Sequence, residues 1–285
     1  MSIVYLNGDY LPMSEARISP MDRGFLFGDG IYEVIPSYDG CLVGFVPHME
    51  RMQAGLSAIG INYRIDHQQW RDIANALIEK NGGGNLALYF HISRGADTRR
   101  NHAFPEGVEP TCYAYAFEIP AEPVADRKAC KPYTVVSTED RRWRNCHIKS
   151  TALLGNVLHY QYGARGGHGE TILYNSANEI TEASASNVFA VIDNTIYTPP
   201  QDHQILPGIT RNILLDALRK HSDWQVEEAI ITLDDLKRAS EIWLTSSTKE
   251  VAPVVELDGA PVGDGKVGEL WEQVQRLFSQ YKYDY

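Results

Sequence analysis

The spacing of apolar residues changes along the chain, and each change marks an element. "IVYLNGDYLP" sets Asn7-Gly8 between two short β-prone runs, and "IYEVIPSYDGCLVGF" sets Asp39-Gly40 between two more, so two hairpins are predicted. The period then lengthens. Met49, Met52, Leu56 and Ile59 share one helical face of "PHMERMQAGLSAIG". Trp70, Ile73, Leu77 and Ile78 share one face of "DHQQWRDIANALIEKNGG", which Gly82 to Gly84 bring to an end. "NLALYFHIS" and "TCYAYAFEI" read as strands, and "PAEPVADRKAC", with two prolines and several charges, reads as a linker. Beyond it a lysine, Lys149, precedes a helical pattern carrying Leu153, Leu154, Val157 and Leu158. "SNVFAVI" is a near-continuous apolar run, as expected of a strand covered on both faces. "GITRNILLDALRK" reads as a helix and "EIWLTS" as a strand, and a last helix groups Val267, Leu270, Trp271, Val274, Leu277 and Phe278. The pattern predicts an α+β protein of two domains: a smaller N-terminal α/β domain over 1–120, a linker over 121–129 and a larger C-terminal domain over 130–285.

Composition narrows the function. With 285 residues the chain can bury two modest cores, and 37 acidic against 26 basic residues give a formal charge of -11. Such a surface repels a phosphate backbone and argues against general nucleic-acid binding. Cys41, Cys112, Cys130 and Cys146 form no CxxC pair, which argues against a zinc ribbon or disulfide scaffold and suits a reducing cytoplasm. No signal peptide and no ~20-residue apolar span is expected.

Several familiar motifs are absent: GxxxxGK[ST], HExxH and GxSxG. "GFLFGDG" is glycine-rich but lacks the strand and helix setting of a dinucleotide site. Anion-binding features are more suggestive. "LPGITR" places Leu206, Pro207 and Gly208 ahead of a helix, leaving the Ile209 and Thr210 amides at a positive dipole end. "LTSSTKE" supplies Thr245, Ser246, Ser247 and Thr248 as donors at a strand end. Each also reads simply as an N-cap or turn. Glu182, in "EITEASASNVF", enters an apolar strand where a carboxylate is costly unless paired. A lysine, an anion pocket and a buried acid together suit pyridoxal phosphate, which needs all three.

These segments carry a family resemblance. "RGFLFGDGIYEV", "HMERM", "FHISRG", "RNHAFPE", "HIKSTALLGNVL", "ITEASASNVF", "LPGITR" and "LTSSTKEVAPVVELDG" occur in family order over almost the whole chain. The chain resembles the fold-type IV pyridoxal-phosphate aminotransferases, and within them the D-amino-acid transaminases. The resemblance implies a C-terminal domain with a β-barrel-like core and a homodimer with active sites near the subunit interface. It implies that Lys149 bonds covalently to the cofactor and moves the proton, and that Glu182 pairs with the pyridinium nitrogen. Arg51, the Ile209 and Thr210 amides, Ser246 and Ser247 would hold the phosphate, with Leu206 packed on the ring.

Tyr32, Arg100 and His102 match the trap for the substrate carboxylate, the Arg and His coming from the neighbouring subunit. A guanidinium fork suits a carboxylate bidentately. "SRGADTRRNHAFPE" is one residue longer than the family's usual loop and sets Arg99 beside Arg100, so either arginine is a candidate anchor. The implied activity is transamination between a D-amino acid and a 2-oxo acid. Branched-chain L-aminotransferases come second, followed by aminodeoxychorismate lyase and R-selective amine transaminase. A non-enzymatic pyridoxal-phosphate binder would need no proton shuttle. The substrates are small molecules; no metal, nucleic acid or membrane is expected.

Overall fold

The computed structural model describes residues 2–285. Its contacts divide the chain into two compact units: residues up to Glu122 with 148–153 and Tyr285, and residues 123–147 with 154–284. The sequence division leaves 148–153 in the C-terminal part, whereas this segment packs in the first unit for a backbone reason described below.

The first unit contains β1 (Ile3–Leu6), β2 (Asp9–Pro12), α1 (Arg23–Phe27), β3 (Gly30–Tyr38), β4 (Cys41–Leu42), α2 (Phe45–Ala58), α3 (His67–Lys80), β5 (Leu86–Ser93) and β6 (Thr111–Glu118). The strands form an antiparallel sheet ordered β2-β1-β6-β5-β3-β4. Both hairpin turns occur where expected, with Asn7 at φ 50° and Asp39 at φ 47°. Asn and Asp adopt this left-handed conformation more readily than other non-glycine residues. A capping box of Asp66 and Gln69 opens α3. Strand alternation sends Ile31, Ile35, Leu88, Phe90 and Ile92 into a core with Met49, Met52 and Leu56 of α2 and Trp70, Ile73 and Leu77 of α3. The opposite phase carries Tyr32, Tyr89 and Tyr115, half-buried, with ring centroids 5.6 and 5.2 Å apart in succession.

The second unit contains β7 (Tyr133–Glu139), α4 (Leu154–Arg165), β8 (Glu170–Tyr174), β9 (Ile180–Ala183), β10 (Asn187–Ile192), β11 (Thr195–Thr198), α5 (Ile209–His221), β12 (Gln225–Glu228), α6 (Leu233–Lys237), β13 (Glu241–Ser246), β14 (Glu250–Leu257), β15 (Ala260–Pro261) and α7 (Glu269–Tyr281). Its mixed sheet runs β12-β11-β10-β13-β14-β7-β8-β9, with β15 on β14, and curls into a half-barrel. The predicted apolar run "SNVFAVI" forms β10, whose residues 187–192 are all buried between β11 and β13. Around it pack Val135, Ile172, Ile180, Ile242, Leu244 and Val254. Val267 lies before α7, whose buried face is Trp271, Val274, Gln275 and Phe278. The apolar stripe of α4 does not enter the core: Leu154, Val157 and Leu158 are 70, 57 and 62% exposed, and the helix buries His159 and Gly163 instead.

Candidate active site

In the first unit Lys149 is placed by backbone. β4 covers β3 only at Ser37 and Tyr38, which leaves the edge of β3 open at its start. Residues 149–151 fill it: Tyr32 N donates to Lys149 O at 3.1 Å, Thr151 N donates to Gly30 O at 2.9 Å, and Ile31 bridges Ser150. Two glycines permit close approach, Gly28 toward the segment after Lys149 and Gly30 toward β5. Gly28 ends α1 at φ 67°, where a Cβ would press on Ala152, and a Cβ at Gly30 would meet Ile92 O. The half-buried Lys149 side chain then sets Nζ 4.2 Å from the Tyr32 ring centroid.

Glu33, next along β3, points to the opposite face and is completely buried. It accepts Nε and Nη2 of Arg51, both at 2.7 Å, and Nδ1 of His48 at 2.6 Å. Burial alone would raise the Glu33 pKa, but Arg51 and His48 hold it at about 2. Burial lowers the His48 pKa, and Arg51 and Lys149 add to that against the pull of Glu33. Arg51 is therefore oriented by a bidentate carboxylate.

The residues expected to form the carboxylate trap are distributed differently. Arg100 lies with Cζ 4.9 Å from the Phe27 ring centroid, and the His102 ring sits 5.4 Å from the same ring. Both are exposed, and within the chain neither meets Tyr32 among the described hydrogen bonds and ring contacts. Their loop is tied down from beneath. Arg23, 3% exposed, donates to Asn101 O at 2.5 Å and to His102 O and Ala103 O at 3.3 Å. Arg23 and Arg94 also both grip Asp29, whose pKa stays below its usual value despite partial burial.

In the second unit Glu182, on β9, is 4% exposed. Its Oε1 accepts Arg142 Nη1 at 2.5 Å, and its Oε2 accepts Asn187 Nδ2 at 3.1 Å and Leu206 N at 2.9 Å. Arg142 is braced in turn by Asp140 through Nε at 3.0 Å and Nη2 at 2.7 Å. Burial raises the Glu182 pKa, opposed by Arg142 and the Leu206 amide. All three partners are donors, which suits the ionised form. Asn187 also donates to Leu206 O at 2.9 Å, and pairs in register with Thr245 on β13. It thereby ties Glu182, the lead-in to α5 and the end of β13 together. The first turn of α5 begins after Gly208 with no side-chain cap, leaving the Ile209 and Thr210 amides at the dipole end. Ser246 closes β13 with Ser247 after it, and the buried Thr245 hydroxyl has no hydrogen-bond partner.

A model of the family Amino-transferase class IV matches residues 30–257. A D-alanine aminotransferase of Staphylococcus haemolyticus is 37% identical over 284 residues, covering 99% of this chain and 98% of the relative. This chain is a class IV aminotransferase. A D-alanine aminotransferase of Listeria monocytogenes is 33% identical, over 96% of this chain and 94% of the relative. The fold is shared with the branched-chain amino acid aminotransferase of Escherichia coli, at a TM-score of 0.88 and 22% identity over 98% and 94% of the two chains. A hypothetical aminotransferase from Mycobacterium tuberculosis, in its PLP-bound form, aligns at a TM-score of 0.84 and 21% identity over 98% of each chain.

Class IV aminotransferases use pyridoxal phosphate, and the donor chemistry of this one fits that group. A helix N-terminus without a side-chain cap, adjacent serine hydroxyls and an unpartnered buried Thr245 hydroxyl suit an anion, and a three-donor carboxylate suits a ring N–H. The sequence pattern does not single out Arg142, Asn187, Arg23 or Glu33. Asn187 gave one signal, an amide opening an otherwise apolar strand. The others gave none, because each acts through partners that the fold brings together.

Proposed function

We propose that this class IV aminotransferase moves an amino group between a D-amino acid and a 2-oxo acid, of the D-alanine and 2-oxoglutarate kind, on pyridoxal 5'-phosphate. The observation that carries the reading is Lys149, its backbone pinned to the edge of β3 and its amine over Tyr32. When bound, the cofactor supplies an electron sink for charge developing at the substrate Cα. Lys149 is the residue that would hold the cofactor through its aldehyde, and its amine, once free, would take up and return the proton of substrate Cα. Glu182, oriented by Arg142 and Asn187, keeps the ring nitrogen protonated. The Ile209 and Thr210 amides, Ser246, Ser247 and Arg51 would take the phosphate, with Leu206 against the ring.

For the substrate carboxylate we assign Tyr32 together with Arg100 of the partner subunit and His102 of the partner subunit. Two features support a homodimer: Arg100 and His102 turn to Phe27 and not to Tyr32 within their own chain, and α4 exposes Leu154, Val157, Leu158 and Tyr162. Four free cysteines support the cytoplasm as its compartment. No described helix is long and apolar enough to cross a membrane.

The test is a half-reaction screen on the holoenzyme with D-alanine, D-glutamate, L-leucine and (R)-1-phenylethylamine, followed by the cofactor's absorbance. D-alanine and D-glutamate are expected to convert it. Conversion by L-leucine alone replaces this reading with the branched-chain one.

A further inference from the structure

The turn that carries Ser246 and Ser247 is held by the two residues that follow it. β13 pairs with β14 in the register Ser246↔Glu250 and Thr245↔Val251, which leaves three residues to turn the chain. Such a turn calls for a residue in the left-handed region, where glycine is cheapest. Here Glu250 takes that position at φ 53°. Its side chain is 2% exposed and doubly bonded, to Lys282 Nζ at 2.5 Å and to Gln275 Nε2 at 2.7 Å. Lys282 is itself fully buried at the end of α7. Gln275 also accepts Val251 N at 3.3 Å, and Trp271 Nε1 donates to Val251 O at 2.7 Å, so α7 grips the strand directly after the turn.

Lys249 runs to different partners. Its Nζ donates to Glu170 Oε2 and to Ser186 Oγ, both at 2.9 Å. Glu170, with no exposure, also accepts the Ser184 hydroxyl, and the Thr171 amide at 3.0 Å. Ser184 and Ser186 lie just beyond β9, the strand of Glu182. Consecutive residues thus tie one donor turn to the strand of Glu182 on one side and to the chain's last residues on the other. Buried ion pairs often contribute little net stability, yet removing one partner strands a charge, so their geometry is firmly imposed.

We propose that Lys249–Glu170 and Glu250–Lys282 are positioning pairs that set the Ser246–Ser247 turn for a phosphate group, making Lys282, just past α7, part of the cofactor-holding apparatus. This rests on the reading that the turn holds the phosphate.

The experiment titrates apoprotein with pyridoxal 5'-phosphate and with pyridoxal, which lacks the phosphate, for wild type and the variants Lys249→Met, Lys282→Met, Ser247→Ala and Arg276→Met. Phosphorus NMR of the bound cofactor accompanies it. Lys249→Met and Lys282→Met are expected to weaken pyridoxal phosphate about tenfold, the worth of roughly one hydrogen bond to a charged group. Pyridoxal affinity should stay constant, and the phosphorus resonance should shift. Lys249→Arg should restore most of the loss. Arg276→Met, an exposed residue of α7, should change nothing. The double variant Glu250→Met/Lys282→Met removes both charges without stranding either, and should lose the same phosphate-dependent affinity. If Ser247→Ala weakens pyridoxal phosphate while the Lys249 and Lys282 variants do not, or if those variants weaken both ligands equally, the inference is overturned. If Ser247→Ala leaves both affinity and resonance unchanged, the reading of the turn fails first.

Discussion

Replacing Glu33 by Gln tests how the first unit holds its buried cations. Glu33 is fully buried and accepts three N–H groups from Arg51 and His48. Its carboxyl has a pKa of about 2 in the folded protein against a usual 4.5. A depressed carboxyl contributes stability that is fully present above the unfolded value and lost as the pH falls toward the folded one. Two and a half units correspond to about 3 kcal/mol at pH 7, falling to about 1 kcal/mol at pH 3. Gln removes this charge and turns one acceptor into a donor facing Arg51 or His48. Urea unfolding of wild-type and Glu33→Gln apoprotein at each pH should therefore show a deficit of about 3–5 kcal/mol at pH 7. The deficit should narrow by about 2 kcal/mol by pH 3. Burial lowers the His48 pKa and Glu33 opposes that, so repeating the comparison in a His48→Gln background separates the two groups. A deficit below about 1 kcal/mol at pH 7, or one that is constant with pH, would refute the reasoning.

Three further outcomes are expected. Arg142→Met leaves Asp140 and Glu182 as buried carboxylates without their shared cation; the half-reaction should slow about a hundredfold and urea stability drop by about 3 kcal/mol, with Arg142→Lys intermediate. Arg100→Ala should raise the KM for D-alanine roughly thirtyfold or more, while Arg99→Ala should matter much less, since Arg100 is the arginine seated on Phe27; reversed effects in steady-state assays would make Arg99 the anchor. Leu158→Glu places a charge in the exposed stripe of α4 and should shift the protein toward monomer in sedimentation velocity, with activity falling in parallel; an unchanged dimer would place the interface elsewhere.

Where residues act through local pattern, the sequence was a good guide. Asn7-Gly8 and Asp39-Gly40 fixed two hairpins because their backbone preference is intrinsic, and the 3.6-residue spacing of Trp70, Ile73 and Leu77 marked a helix that buries that face. Apolar spacing alone could not say that Leu154, Val157 and Leu158 face outward, because the same stripe serves a core or an interface. Lys149 looked like part of the C-terminal domain because chain order is all that a linker signal reports. Its packing with the first unit comes from the open edge of β3 and from Gly28, where a side chain would press on Ala152. Arg142 and Asn187 stayed hidden for a related reason: their meaning is a hydrogen-bond geometry around Glu182, which Arg142 reaches from 40 residues away and Asn187 from across a turn.

The most direct test of the central claim, that Lys149 bonds the cofactor, is borohydride reduction of the holoprotein followed by proteolysis and mass spectrometry. A single pyridoxyl-phosphate adduct on the peptide containing Lys149 is the expected result, lost in Lys149→Ala. An adduct on Lys249 or any other lysine, with Lys149 unmodified, would contradict the account.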